Sequence, residues 1–284
     1  YTVTITDFNG CNYDTSFTIT KPSEIFASGT STDVICYNDS SGTITLNTNS
    51  GAGLYTWLWT GPNGYTSTNE SLTGLDTGTY DVTITDINGC TKDTSFAISQ
   101  PTALAITVDL TTDVDCNGNG NGAIDVTISG GTPGYTPLWT IITPGGGLVP
   151  SAQNQSTLDG GTYQLLVTDA NLCVDSVQVT INEPDTIITN GVVTDISCYD
   201  QIDGSIDLTT IGGALPYTFV WTSTAIGFID PGTEDLSGLD SGLYTVTITD
   251  FNGCNYDTSF TITKPSEIFA SGTSTDVICY NDSS

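Results

Sequence analysis

The sequence predicts an all-β protein built of tandem antiparallel β-sandwich modules, and three observations support this fold class. Threonine, valine, isoleucine and tyrosine alternate along short runs such as Tyr1–Asp7, as in strands with one buried face. The 31 glycines and 11 prolines supply turns between these runs. No stretch has the apolar period of a capped helix, so we expect strands joined by turns throughout.

The modules are defined by an internal repeat of about 81 residues. Residues 1–41 recur unchanged as residues 244–284, a shift of 243. Four cysteines divide this interval into spacings of 80, 82 and 81 residues: Cys36, Cys116, Cys198 and Cys279. We therefore predict whole modules at 23–101, 102–184 and 185–265, flanked by the end of a preceding module at 1–22 and the start of a following one at 266–284. Because the sequence opens within a predicted strand without Met, we expect it to be a segment of a longer array.

Each module is predicted to contain seven short strands, A to G. In the second module the predicted ranges are 104–116 for strand A, 123–129 for B, 135–139 for C, 163–169 for F and 173–181 for G, with the variable segment 141–156 between C and F. A tryptophan in strand C and a Leu-x-x-Gly-x-Tyr corner opening strand F indicate an immunoglobulin-like sandwich. A parallel β-helix is the alternative, but its rungs would repeat every 20–30 residues or so, roughly a third of the observed period.

Three motifs of the chain resemble the SprB repeat. The first is Cys-x(5)-Gly followed by a small residue and Ile, at Cys36–Ile44, Cys116–Ile124 and Cys198–Ile206. The second is Gly-Gly-x-x-x-Tyr-Thr-x-x-Trp, at Gly130–Trp139 and Gly212–Trp221, with Ser50–Trp59 a looser copy. The third ends in Thr-Asp-x-Asn-Gly-Cys, at Leu75–Cys90 and Leu239–Cys254. The copy at Leu158–Cys173 has Leu172 in place of the glycine, which predicts a changed turn there.

The resemblance covers nearly the whole chain. It implies very long cell-surface adhesins of gliding Bacteroidota, exported by the type IX secretion system and moved along the cell body. Similar repeats also occur in large surface proteins that have no motility role. The resemblance therefore implies an extracellular adhesin or filament at the cell surface more directly than it implies gliding.

The charge of the chain excludes several classes of function. There are 32 acidic residues against three basic ones, a net charge of −29, and histidine is absent. Nucleic acid is excluded as a partner because phosphates need cationic side chains, and an anionic membrane surface is disfavoured for the same reason. No apolar run is long enough to span a bilayer, so direct membrane insertion is not expected.

The same composition argues against an enzyme. Without histidine, the usual general base, triad partner and zinc ligand are missing. Paired carboxylates of the glycosidase kind do occur, but they lie at repeating turn positions, where aspartate caps the backbone. We therefore expect no enzymatic activity.

One tryptophan and one tyrosine recur in every predicted module: Trp59, Trp139 and Trp221, and Tyr80, Tyr163 and Tyr244. A sugar-binding platform is one interpretation of such a set. Because they occur once per module and in strand phase, we predict that they are core anchors instead. Trp57 has no counterpart in the other modules and is the better candidate for an exposed contact.

Acidic turns offer oxygen ligands that could hold calcium, which is the one cofactor that the sequence suggests. The candidates are Asp39, Asp169, Asp200, Asp203 and Asp250. Calcium needs a cluster of oxygens, yet none of these turns has complete EF-hand spacing, and Asn117–Gly122 offers no carboxylate at all. Capping of the backbone by turn residues is the alternative, and we favour it.

The eight cysteines form two periodic classes. Cys36, Cys116, Cys198 and Cys279 end predicted strand A, whereas Cys11, Cys90, Cys173 and Cys254 begin strand G. An even, periodic set without a Cys-x-x-Cys pair indicates disulfides rather than a metal site. Three pairings fit the counting: within a module (Cys36–Cys90 and its equivalents), across the linker (Cys11–Cys36 and its equivalents), or between consecutive modules (Cys36–Cys173 and Cys116–Cys254).

Strand geometry favours pairing between consecutive modules. The A–B and F–G loops lie at opposite ends of an immunoglobulin-like sandwich, roughly 20–25 Å apart for a strand of about seven residues. A disulfide needs its Cα atoms within about 7 Å. Pairing across the linker would require strands G and A to fold back and would reverse alternate modules. Stacking modules end to end instead brings the A–B loop of one against the F–G loop of the next, with pairing within a module as the alternative.

The predicted function is mechanical and adhesive. We expect the structural shaft of an extracellular adhesin or surface filament, with neighbouring modules as partners and a surface polysaccharide or substratum as the target. The acidity would keep neighbouring shafts soluble and apart. The alternative is a carbohydrate-binding module array of a secreted polysaccharide-degrading protein, which an exposed aromatic platform in every module would favour.

Overall fold

The computed structural model describes residues 1–275, which form 21 β-strands and one 3₁₀ turn at Pro62–Gly64. The first two strands pair as an antiparallel hairpin, β1 (Thr2–Thr6) with β2 (Asn12–Ser16). The next group is β3 (Ile25–Thr32), β4 (Gly42–Ser50), β5 (Thr56–Thr60), β6 (Thr66–Ser67), β7 (Leu72–Leu75), β8 (Gly78–Thr85) and β9 (Thr91–Ile98). The all-β prediction is confirmed.

The remaining strands fall into two groups of six. The first group is β10 (Ala105–Thr112), β11 (Gly122–Ser129), β12 (Thr136–Ile141), β13 (Gln155–Leu158), β14 (Gly161–Thr168) and β15 (Val174–Ile181). The second is β16 (Ile188–Thr194), β17 (Gly204–Ile211), β18 (Thr218–Ser223), β19 (Leu236–Leu239), β20 (Gly242–Thr249) and β21 (Asn255–Ile262).

Contacts between residues divide the chain into two compact units. Unit 1 comprises Tyr1–Val108, Val126–Leu138 and Leu165–Val177, and unit 2 comprises Asp109–Asp125, Trp139–Gln164 and the chain from Gln178 onward. Strands β3 to β9 therefore lie wholly in unit 1 and β16 to β21 wholly in unit 2. The division into modules at 23–101, 102–184 and 185–265 stays a prediction.

Unit 1 contains a β-sandwich made of strands β3 to β9. One sheet has the order β3-β4-β7 and the other β6-β5-β8-β9. The first holds the A-B-E strands of an immunoglobulin-like domain, and in the second β5, β8 and β9 are the C-F-G strands, with the short β6 as an additional edge strand. Alternate residues point to the same face of a strand, so Ile44 and Leu46 on β4 meet Tyr80, Val82 and Ile84 on β8 in one buried cluster. The immunoglobulin-like prediction is confirmed.

Unit 2 contains a second sandwich of the same design. Its sheets have the orders β16-β17-β19 and β18-β20-β21, and its core includes Ile206, Leu208, Trp221, Tyr244 and Val246. The strands between these two sandwiches form sheets of the matching orders β10-β11-β13 and β12-β14-β15. The same arrangement of two sheets thus recurs along the chain.

The six aromatic anchors are buried, with at most 2% of each residue exposed. Each tyrosine hydroxyl donates to the backbone carbonyl four residues earlier, at 3.1, 2.7 and 2.8 Å for Tyr80, Tyr163 and Tyr244. Each tryptophan Nε1 also donates to a backbone carbonyl, at 2.8, 3.1 and 2.9 Å for Trp59, Trp139 and Trp221. The polar atoms of these buried rings are therefore satisfied, as stable cores require.

The glycine of the Cys-x(5)-Gly motif opens strand B, where it passes close to strands E and G. A Cβ on Gly42 would lie 2.8 Å from the Leu75 carbonyl oxygen and 2.9 Å from Ile98 Cγ2. Gly122 and Gly204 meet the equivalent leucine and isoleucine at 2.7 to 2.9 Å. Any larger residue would push the two sheets apart, and this explains the glycine in the motif.

The structure corrects three details of the prediction. Only β3 to β9 make seven strands, because the counterparts of β6 fall in stretches rich in proline and glycine around Pro144 and Pro231, which disfavour ladder pairing. Strand A does not reach its cysteine: β10 ends at Thr112 because Asp113 accepts hydrogen bonds from Asn182 instead of continuing the ladder. Trp57 is half-buried against the core and donates to Thr48 Oγ1 at 3.2 Å, so its prediction as an exposed contact was wrong.

Candidate functional site

Two disulfides form the most distinctive sites of the chain, and we call them junction 1 and junction 2. Junction 1 is the Cys36–Cys173 bond with its surrounding loops, and its Cα atoms are 5.7 Å apart. Junction 2 is the Cys116–Cys254 bond, with Cα atoms 5.6 Å apart. Junction 1 lies inside unit 1 and junction 2 inside unit 2. The pairings are those of the consecutive-module scheme, and neither Cys36 nor Cys116 bonds a cysteine of its own predicted module.

In each junction an aspartate shapes the F–G turn that presents the second cysteine. At junction 1, Asp169 Oδ1 accepts hydrogen bonds from the amides of Asn171 and Cys173 at 2.8 and 2.9 Å. Its Oδ2 accepts the amide of Thr132, in the B–C loop, at 2.8 Å. The carboxylate is almost fully buried, with 3% of the residue exposed. One side chain thus fixes the turn and ties it to a neighbouring loop.

Junction 2 repeats this arrangement with different neighbours. Asp250 Oδ1 accepts the amides of Asn252 and Cys254, both at 2.9 Å. Its Oδ2 accepts the amide of Ala214 at 2.8 Å. A buried carboxylate with three amide donors is well satisfied, so the second cysteine is held in place independently of the bond it makes.

At two of these turns, those of Asp169 and Asp86, hydrogen bonds lower the pKa of the aspartate. The Thr132 amide lowers the pKa of Asp169 below its usual range; burial opposes this, and the amides of Cys173 and Asn171 reinforce it. At the equivalent turn, burial raises the pKa of Asp86, but the amides of Ala52, Cys90 and Asn88 together lower it further than burial raises it. At Asp169 and Asp86, hydrogen bonds to the charged form of the carboxyl group therefore outweigh the effect of burial on the pKa.

The asparagine of each turn reaches across to the loop that carries the first cysteine. Asn171 Nδ2 donates to the carbonyl oxygen of Ile35 at 3.3 Å. Asn252 Nδ2 donates to the carbonyl oxygen of Asp115 at 2.8 Å. Ile35 and Asp115 each immediately precede the first cysteine of their junction. The same polar contact therefore accompanies both covalent bonds.

The loop that receives the turn, residues 35–41 in junction 1, is also held by its own side chains. The amide of Ile35 donates to Ser41 Oγ at 2.8 Å, and that of Asp115 donates to Asn121 Oδ1 at 3.1 Å. Each receiving loop is further tied to the linker that follows its own G strand. Asn38 donates its amide to Gln100 Oε1 at 2.9 Å, and Gly118 donates its amide to Glu183 Oε1 at 2.6 Å.

The five calcium candidates lie in four separate loops, because Asp200 and Asp203 share one. Asp169 and Asp250 are occupied by backbone amides, as described above. Asp203 accepts the amide of Ser197 at 3.0 Å, and the Ser197 hydroxyl is the main cause of its lowered pKa. Asp39 caps the amide of Ser40, and Asp200 is exposed. Within residues 1–275 no three acidic, cysteine or histidine side chains gather as a metal site, so the calcium hypothesis stays a prediction.

Three of the remaining cysteines carry free, exposed thiols: Cys11, Cys90 and Cys198. Cys279 lies outside the described residues. Cys11 and Cys90 follow the same aspartate turns as Cys173 and Cys254, since Asp7 Oδ1 accepts the Asn9 and Cys11 amides and Asp86 Oδ1 accepts those of Asn88 and Cys90. These turns are therefore preformed without a bonded partner.

The fold and the two junctions define a tandem immunoglobulin-like repeat protein in which loops of successive repeats are joined by disulfides. The family model of the SprB repeat matches the chain three times, at residues 28–64, 109–143 and 190–225. The chain therefore contains three copies of the SprB repeat, as its motifs predicted. Its coarse class is therefore a repeat module of the extracellular adhesin type.

Two solved structures show limited similarity to the chain. The three N-terminal domains of the outer capsid protein Hoc of bacteriophage RB49 share 10% identity over 84% of this chain and 97% of theirs, with a TM-score of 0.39. The N-terminal eight immunoglobulin domains of Down Syndrome Cell Adhesion Molecule share 10% identity over 93% of this chain and 39% of theirs, with a TM-score of 0.45. No curated protein matches the sequence. None of residues 1–275 forms a helix with the length and apolarity needed to cross a bilayer.

Proposed function

We propose that the chain is a tension-transmitting segment of the shaft of an extracellular adhesin or surface filament. The observation that carries the proposal is the pair of disulfides, each of which joins residues 137 or 138 positions apart. Each bond supplies a covalent route beside the peptide linker between successive repeats. Such a route matters in a protein that is pulled along its length, since it limits how far the chain can extend.

The two disulfides overlap along the sequence, and this overlap sets the maximum extension. From Cys36 to Cys254 the peptide chain covers 218 residues. With both bonds intact, the shortest covalent route runs 80 residues from Cys36 to Cys116 and then crosses to Cys254. At 3.3–3.6 Å per extended residue, the oxidised chain is about 450–500 Å shorter at full extension than the reduced chain.

Charge and the recurrent aromatics support the same function. With 32 acidic residues against three lysines, neighbouring shafts would repel one another and stay dispersed. The partners of the shaft are then neighbouring repeats and, at the cell surface, a polysaccharide or substratum. A carbohydrate-binding array is supported less well, because its aromatic platform would have to be exposed and the six recurrent aromatics are buried.

Single-molecule stretching tests the proposal. The chain is pulled from its two ends under oxidising conditions and again after reduction, and the final contour length is measured. We expect reduction to lengthen the chain by about 450–500 Å, which is the extended length of the residues that the disulfides exclude from the shortest covalent route. A variant with all four junction cysteines changed to serine should already show the longer value without reductant. Equal contour lengths in the oxidised and reduced chains would contradict the proposal.

Location and adhesion need a separate measurement on cells. An antibody against the chain should label intact cells of the source organism, and shear should detach cells that produce the four-serine variant more readily than cells that produce the natural chain. Labelling only after the cells are broken open would overturn the extracellular assignment. If cells that lack the protein still glide or attach, the shaft is not required for that activity.

A further inference from the structure

We propose that Cys90 and Cys198 are the two halves of a third junction, and that Cys198 bonds Cys90 in the next copy of this 243-residue block. The partner is therefore a second copy of the same sequence, joined in tandem. The inference does not rest on the proposed function, because the pairing follows from the design of the junctions whatever the array carries.

Cys90 lies on a turn that matches the turns of both junctions. Asp86 Oδ1 accepts the amides of Asn88 and Cys90 at 2.9 and 3.0 Å, and its Oδ2 accepts the amide of Ala52 at 3.1 Å. Asn88 holds the position of the asparagines that reach the receiving loop in junctions 1 and 2. Cys90 itself is exposed and unbonded. The turn thus has each element of a junction turn except its partner loop.

A pocket beside Cys90 supplies a second and independent observation. This pocket of about 430 Å³ is lined by the linker from Lys21 to Ile25 together with Asp86, Cys90 and Thr91. The equivalent pocket of junction 1 has the same linker and turn walls, at Ala103, Leu104 and Cys173, but Cys36 and Tyr37 of the receiving loop also line it. In junction 2, Cys116 and Asn117 of the receiving loop do the same. The pocket at Cys90 therefore matches the surface that contacts a receiving loop in junction 1 and again in junction 2.

Cys198 lies on a receiving loop of the required kind. The Ser197 amide donates to Asp203 Oδ1 at 3.0 Å, as the amides of Ile35 and Asp115 donate to Ser41 and Asn121. The Gln201 amide donates to the Cys198 carbonyl at 3.0 Å, and the turns at Cys36 and Cys116 have the same bond at 3.1 and 3.0 Å. The Cys198 thiol is exposed. This loop therefore has the conformation of the two that are already bonded.

The repeat fixes which copy of Cys90 is the partner. Because residues 244–284 repeat residues 1–41, a second block continues from residue 284 into residue 42 without a break in register. In continuous numbering the next Cys90 is position 333, which is 135 residues beyond Cys198. The two bonds in the structure span 137 and 138 residues. Head-to-tail contacts of this kind build an open array that can be extended by further copies and does not close into a ring.

The bond forms by thiol–disulfide exchange with a low-molecular-weight disulfide such as oxidised glutathione. One thiolate attacks the glutathione disulfide and releases one glutathione thiol. The second thiolate then displaces the bound glutathione. Two cysteine thiols are oxidised to one disulfide, and one oxidised glutathione is reduced to two glutathione molecules, so that the protons and electrons balance.

The test uses a tandem chain in which residues 1–284 are followed by residues 42–284. After oxidation with oxidised glutathione, non-reducing digestion and mass spectrometry should recover a Cys198–Cys90 peptide beside the Cys36–Cys173 and Cys116–Cys254 peptides. The last two peptides serve as the folding control. Cys198→Ser in the first block should abolish the new peptide, whereas the same substitution in the second block, a matched control, should leave it in place.

Three results would overturn the inference. The first is full alkylation of Cys198 in the first block and Cys90 in the second while the two known bonds remain intact. The second is a peptide joining Cys90 to Cys11 in place of Cys198. The third is equal loss of the Cys198–Cys90 peptide from both serine variants, since this would mean that the pairing does not depend on the order of the blocks.

Discussion

Junctions 1 and 2 make the same bond from different sequences. Their Cα atoms are 5.7 and 5.6 Å apart, and both keep the aspartate turn and the contact of an asparagine with a carbonyl. The residue before the second cysteine differs: Leu172 has φ +67° in junction 1, and Gly253 has φ +89° in junction 2. The turn therefore takes its shape from the carboxylate, which forces even a leucine into the left-handed region.

The largest expected effect comes from removing one disulfide. Cys36→Ser with Cys173→Ser should lower the free energy of unfolding by up to about 5 kcal/mol, the chain-entropy value for a loop of this length. The matching pair, Cys116→Ser with Cys254→Ser, should have a nearly equal effect, because the two loops differ in length by only one residue. Urea denaturation under oxidising conditions measures both.

The control for this experiment is Cys11→Ser, which removes an exposed free thiol. Its free energy of unfolding should stay within about 0.5 kcal/mol of the natural chain. A clear difference between the two double variants would show that the junctions are not equivalent, and would contradict the comparison made above.

The second effect is on the acid side of the stability curve. The pKa of Asp169 is lower in the folded chain than its usual value, mainly through the Thr132 amide. Its contribution to stability is therefore present above the ordinary aspartate pKa, near 3.9, and is lost as pH falls through that value towards the folded pKa. Asp169→Asn should be less stable at pH 7, because its amide nitrogen would face the Thr132 donor, and should lose less stability on acidification.

Asp207→Asn is the matched control, since Asp207 is an exposed residue on β17. Protonation of the many carboxylates also relieves repulsion in a chain of net charge −29. The control variant shows this general effect of acid, because its substitution removes one carboxylate that is not part of an F–G turn. Thermal melting between pH 7 and 3 compares the variants. Parallel pH profiles for Asp169→Asn and the natural chain would rule out the carboxylate as the source of acid sensitivity.

The third effect tests the backbone of the two turns directly. Gly253→Leu should lower the free energy of unfolding by about 1 kcal/mol, because a left-handed conformation costs an L-residue about 1–2 kcal/mol and a Cβ there would meet nothing within 4 Å. Leu172→Gly should raise the free energy of unfolding by a smaller amount, since glycine also gains freedom in the unfolded chain. Urea denaturation of each variant measures both.

The control is Gly272→Leu, at a glycine that lies outside the left-handed region and has open space around it. It should leave the free energy of unfolding unchanged. If Gly253→Leu were equally neutral, leucine would be tolerated in this turn at no cost, and the difference between the two junctions would carry no energetic meaning.

The sequence predicted the core well because the core follows residue periodicity. Tyr80 and Trp59 recur at fixed spacing and in strand phase, and both are buried in the structure. The end of strand A could not be predicted, since it depends on Asp113 turning to meet Asn182, 69 residues away. Trp57 was misjudged for the same reason, because its partner Thr48 lies on another strand.

The junctions were predicted in part. The Cys36–Cys173 pairing was favoured by the spacing of the cysteines and by the placement of the A–B and F–G loops at opposite ends of a sandwich. Both features follow from strand length and topology alone. The contact of Asn171 with Ile35 was not predicted. The acceptor is a backbone carbonyl, which every residue type has, so the contact leaves no mark in the sequence. The residue that supplies the carbonyl is Ile35 in one junction and Asp115 in the other.

The smallest expected effect is that of calcium. Asp169 and Asp250 each use both carboxylate oxygens to accept three backbone amides, and a calcium ion, which needs six to eight oxygens, would have to displace those donors. We therefore expect the melting temperature to be the same in millimolar calcium as in chelator. A ligand that binds only the folded chain raises its melting temperature, so a clear rise with calcium would contradict this expectation. Asp203→Asn and Asp200→Asn would then locate the site, because these two carboxylates share one receiving loop and do not support an F–G turn.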